Sequence, residues 1–103
     1  MPVKQFNPVR SSDHETLVRD LAAEWSRPAG AGEPVILEES DQKNRLVHVY
    51  VVWSRWSSVD RVERSEIIMD AAAMKLPQDQ VLNITVAMGL TPEEADDSGL
   101  PWR

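Results

Sequence analysis

The side chains that could carry chemistry are few. The chain has two histidines, His14 and His48, and no cysteine, so disulfides, thiolate nucleophiles and cysteine-ligated metals are ruled out. His14 lies between Asp13 and Glu15 in what reads as the first turn of a helix. Adjacent side chains fan apart there instead of converging on an ion, so His14 reads as an exposed residue of a helix start. His48 shares a strand face with Tyr50, and the two form either a small polar binding platform or the wetter side of a sheet. The carboxylate pairs Glu38-Glu39, Glu93-Glu94 and Asp96-Asp97 are sequence neighbours. General acid–base catalysis instead needs two groups that converge on one substrate with separated pKa values. No nucleophile–base pattern, Walker loop or dinucleotide fingerprint occurs. The expectation is a non-enzymatic protein with no cofactor and no metal.

Arginine and tryptophan supply the remaining candidates. A net charge of −6 repels nucleic acid and anionic lipid at long range. Between Lys43 and Arg64, however, Lys43, Arg45, Arg55, Arg61 and Arg64 face only Asp60 and Glu63. Arg55, Trp56, Arg61 and Arg64 are a small version of the cation-plus-aromatic set that grips single-stranded nucleic acid. Trp56 is equally readable as a lid on the core. The glycine-x-x-glycine loop that clamps the backbone in KH domains is absent.

These residues need elements to hold them. A chain of 103 residues, 42% hydrophobic and 27% charged, has the size and composition of one globular domain. Met1-Pro2-Val3-Lys4-Gln5 lacks the apolar run of a secretory signal, and no run of about 18 apolar residues crosses a membrane. The expected compartment is the cytoplasm. Residues 1–11 hold two prolines and no periodicity, a flexible arm. Ser12-Asp13-His14-Glu15 has the form of a capping box, opening a helix from Asp13 to Ser26 with Leu17, Val18, Leu21, Ala22 and Trp25 on one stripe. Pro34 to Glu39 reads as a strand, Asp41 to Asn44 as a hairpin loop, and Arg45 to Trp53 as a second strand. In that strand Val47, Val49, Val51 and Trp53 should face helices, while Leu46, His48, Tyr50 and Val52 line a more open face.

Ser57 or Ser58 is expected to cap a second helix through Asp60, Val62, Ile68, Met69 and Ala72, which Pro77 stops. Gln78-Asp79-Gln80 is either a short helical turn or a loop. Leu82, Ile84, Val86 and Met88 alternate with smaller or polar residues as a half-buried strand. Thr91-Pro92-Glu93-Glu94 has a cap, a first-turn proline and carboxylates at the positive dipole end. Residues 12–96 therefore form one domain and 97–103 a tail, whose Leu100-Pro101-Trp102 is either an interaction peptide or folds back. The fold class is α+β: a two-layer sandwich of order α-β-β-α-β-α, with a three-stranded mixed sheet and helices on one face.

This order resembles the BolA family, whose fold is related to KH domains. Val35-Ile36-Leu37-Glu38 is similar to the family's first strand, and Val47 to Trp56 to its second strand and arginine-aromatic exit. Arg64-Ser65-Glu66-Ile67-Ile68-Met69 occupies the place of the arginine-histidine-arginine helix motif, and Ile84 to Glu94 that of the last strand and closing helix. The resemblance covers about residues 13–96. It implies iron–sulfur sharing with monothiol glutaredoxins, but the motif histidine falls on Ser65 and a second-strand histidine on Leu46. Asp41-Gln42-Lys43-Asn44 offers no cysteine or histidine ligand either. A hydroxyl is a poor iron ligand beside imidazole, so the scaffold is expected without the cluster. The expected function is protein binding through His48, Tyr50, Arg55, Trp56, Arg61, Arg64 and Ser65, by a monomer or homodimer. The alternative is weak single-stranded nucleic-acid binding through the same arginines.

Overall fold

The computed structural model describes residues 13–25, 32–41, 43 and 46–102. Its elements run α1 (His14–Trp25), β1 (Val35–Asp41), β2 (Leu46–Val52), a 3-10 turn (Ser54–Ser58), α2 (Arg61–Lys75), α3 (Gln78–Leu82), β3 (Ile84–Leu90) and α4 (Pro92–Ser98). The sheet order is β1-β2-β3. β1 and β2 form an antiparallel hairpin, with Leu37 opposite Tyr50 and Glu39 opposite His48. β3 returns after α2 and α3 to lie parallel to β2, with Tyr50 opposite Met88 and Val52 opposite Leu90. The result is an α+β fold with a mixed sheet, in the order expected except that residues 78–82 form a helix of their own.

The apolar stripes place the layers. α1 and α2 cover one sheet face, where Leu17, Leu21, Ile67, Ile68 and Ala71 close over Val49 and Val51 in one cluster. Leu21, Ile67 and Ile68 are fully hidden, each contributing about 1.5–3 kcal/mol of burial. The cap of α1 expected at Ser12 lies outside the described residues, and the Asp13 carbonyl accepts from Leu17 N–H.

The start of α2 departs from expectation. Ser57 and Ser58 belong to the 3-10 turn, and the cap is Asp60, whose carboxylate accepts from Val62 N–H at 3.1 Å. The tight turn lets the chain drive Trp56 inward before the helix begins, so the serines are spent one turn early. Trp56 is fully buried, and its indole N–H donates to the Val51 carbonyl at 3.0 Å. Its ring meets Trp53 edge-on, centroids 5.1 Å apart.

The helices do not all keep to one face. Val52, on the opposite side of β2 from Val51, is buried with Leu90 and Ala95 of α4. Val35, Leu100 and Trp102 pack against that second cluster. α4 starts with the expected Thr91 cap and Pro92, completed by a reciprocal capping box with Glu94. Gly99 ends it in the left-handed conformation, φ 75°, and Leu100 N–H returns to the Ala95 carbonyl, a Schellman-type stop. That reversal folds the tail back. Trp102 is half-buried, with its indole N–H donating to Asp96 at 2.9 Å. Among the described residues no helix is long and apolar enough to cross a membrane.

Candidate functional site

The residues singled out in the sequence separate into three places. Arg64 and Trp56 are interior. Arg64 is only 6% exposed, and three acceptors meet its guanidinium. Nε donates to the Val59 carbonyl at 2.8 Å, and Nη1 donates to the Gly89 carbonyl at 3.2 Å and to Glu94 at 2.7 Å. Ser65, next along α2, donates its hydroxyl to the Ala87 carbonyl at 2.6 Å. Gly89 is where helix and strand meet most closely. A Cβ built there would lie 2.9 Å from the Arg64 Cβ and 2.9 Å from the Trp56 ring. Only glycine leaves room for both.

Arg55 and Arg61 are exposed but engaged. Arg55 pairs with Asp20 of α1 and lies 4.9 Å above the Trp53 ring. Arg61 donates to Glu94 at 2.8 Å. Arg55, Arg61 and Arg64 of the basic stretch are thus paired with carboxylates from distant parts of the chain. A phosphate would have to displace them.

Glu94 gathers two of these arginines. Its carboxylate accepts from Arg64, Arg61 and the Thr91 backbone N–H. The Thr91 amide most strongly, and Arg64 after it, hold the Glu94 carboxyl at about 2, below its ordinary 4.5, although burial pulls the other way. A folded-state pKa below the unfolded one stabilises the fold above the unfolded value and loses that contribution as pH falls. Urea midpoints should therefore drop as pH falls from 4.5 towards about 2. Glu94→Gln, which cannot ionise, should lack that part of the pH dependence while being less stable at neutral pH. An unchanged acid slope in the variant would refute the assignment.

His48 and Tyr50 lie on the other sheet face, as expected from the alternation. Their rings meet edge-on at 6.4 Å, with the Tyr50 hydroxyl 3.4 Å from His48 Nδ1. Leu37, Val86 and Met88 share this face through the strand register. Met88 is 41% and Leu46 39% exposed. Where α4 and the folded-back tail rise beside the sheet, Tyr50, Met88, Leu90, Leu100, Glu39 and Arg61 line an open groove of ≈ 610 Å³. Comparison with family models, with curated proteins and with solved structures returned no match to this chain.

His14 corrects the expectation of an exposed helix start. It is 5% exposed, with Nδ1 2.7 Å from Glu63 and Nε2 3.2 Å from Asp70, both of α2. The ring thus ties α1 to α2 through one contact on each of its nitrogens. Each carboxylate addresses a different ring nitrogen, so the three share no central point. Among the described residues no set of three His, Asp or Glu side chains is arranged to hold a metal ion.

The cluster chemistry implied by the BolA resemblance does not fit these residues. Ser65, at the motif histidine's position, already donates to a strand carbonyl, and Leu46 has no donor atom. Sequence reasoning missed three things here: the Glu94 hub, the His14 clasp and the burial of Arg64. No local pattern in the sequence marked Arg64 as interior.

Proposed function

We propose that the chain is a non-enzymatic protein-binding module on a BolA-like scaffold, and that it meets its partner through the uncovered half of the second sheet face. The exposed apolar floor of the groove supports this reading most directly. Met88 is a large side chain left open to solvent, and it lines the groove together with Tyr50, Leu90 and Leu100. Contiguous apolar surface of this kind marks interaction sites. Of the seven residues first assigned to the partner face, His48 and Tyr50 belong to it. Arg61 borders the groove, Arg55 lies outside it and pairs with Asp20 of α1, and Trp56, Arg64 and Ser65 support the scaffold beneath.

The test compares partner retention by the wild-type chain and by Met88→Glu, with the amide NMR spectrum as the check on folding. Met88 is exposed, so the variant should stay folded and lose its partner. A folded variant that retains the same partners with the same strength refutes the assignment.

The second reading, single-stranded nucleic-acid binding, draws on the exposure of Arg55 and Arg61 (side chains 42% and 69% exposed). It predicts amide shifts around those residues on adding short single-stranded RNA or DNA, reversed by salt. Their existing ion pairs with Asp20 and Glu94 weigh against it.

A further inference from the structure

The two edges of the sheet are unlike. Trp53 N–H donates to the Leu90 carbonyl, so that carbonyl points towards β2. In a strand the intervening carbonyls point the other way, which places those of Ala87 and Gly89 on the outer edge of β3. These are the carbonyls that Ser65 and Arg64 cap from α2. Side chains of α2 thus occupy two of the acceptors on that edge.

Among the described residues, nothing comparable covers the far side of β1. Within them β2 is the hydrogen-bonding neighbour of β1 in the sheet, and no other backbone hydrogen bond reaches residues 35–40. An unpaired strand edge is a template for another strand. The strand is also divided in character. Val35-Ile36-Leu37 is apolar, while Glu38, Glu39 and Asp41 make the second half acidic, and Glu38 to Asp41 are exposed.

Two copies pairing antiparallel about the middle of β1 would bring Glu38 and Glu39 of both together, and like charges directly opposed destabilise a pair. A cationic strand has the complementary charge. We propose that the outer edge of β1 accepts an extended segment of a partner protein as a fourth, antiparallel strand, with basic residues first and β-branched apolar residues after. In that direction the basic half lies along Glu38–Asp41 and the apolar half along Val35–Leu37. Main-chain hydrogen bonds would supply affinity and the charge pattern would set direction. The proposal rests on reading the domain as a protein-binding module.

The probe is an end-capped hexapeptide, Lys-Arg-Lys-Val-Ile-Val, titrated at low salt into the isotope-labelled full chain, with Glu-Asp-Glu-Val-Ile-Val as the charge-reversed control. Amide shifts should concentrate in residues 35–41, and hydrogen exchange at alternate β1 amides should slow several-fold. The control peptide should do neither. Glu38→Lys, at an exposed position outside the groove lining, should abolish the effect without altering the amides of the groove. Absence of β1 shifts, or equal binding by the charge-reversed peptide, overturns the proposal. Shifts at Tyr50 and Met88 with unchanged β1 exchange also overturn it, while leaving the groove reading intact.

Discussion

Trp56→Ala should lower the stability of the fold by about 3–5 kcal/mol, the range for removing a large aromatic side chain from a core. The whole stability of a domain is of order 5–15 kcal/mol, so the variant should lose a large part of its margin. Three losses combine. The ring is fully buried, it packs edge-on against Trp53, and its N–H satisfies the Val51 carbonyl. Trp56→Phe separates them. It keeps much of the volume and strands the carbonyl, which should cost about 1–3 kcal/mol. Urea denaturation midpoints measure both, and equal stability of wild type and Trp56→Ala would mean that the ring is not in the core.

Arg64→Met should cost about 3 kcal/mol or more, because truncating one partner of a buried ionic network leaves its acceptors behind. Here the abandoned groups are the Val59 and Gly89 carbonyls, which the guanidinium reaches at 2.8 and 3.2 Å. Glu94 is spared the worst, since Arg61 and the Thr91 amide still hold it. Arg64→Lys keeps the charge but not the fork. A single ammonium on a flexible stem cannot reproduce donors aimed at a helix-start carbonyl, a strand carbonyl and a carboxylate. Its denaturation midpoint should lie nearer to Arg64→Met than to wild type. A lysine variant as stable as wild type would show that charge alone suffices.

Both results bear on what can be seen in a sequence. The alternation of Val47, Val49 and Val51 against His48 and Tyr50 was legible because a strand's two faces follow from parity alone. The start of α4 was legible because Thr91, Pro92 and Glu94 are local partners. The interior role of Arg64 was not, since two of its three acceptors lie 25 and 30 residues away. Charge on a helix reads as solvent-facing unless the distant partner is known. The same applies to His14, whose carboxylates lie 49 and 56 residues off. At Ser57 and Ser58 the local signal was real but ambiguous, and packing of Trp56 decided in favour of Asp60 as cap. Val52 was assigned to an open face because nothing local announced that the tail would return over it.

The contacts that Ser65 and Arg64 make on β3 also bear on how many connections the sheet can make. A sheet with both edges free is a bifunctional monomer, and head-to-tail pairing can carry it into an open-ended fibre. On β3 an incoming strand would find the Ala87 and Gly89 carbonyls already taken, so pairing from that side starts with two acceptors fewer and end-on growth is disfavoured there.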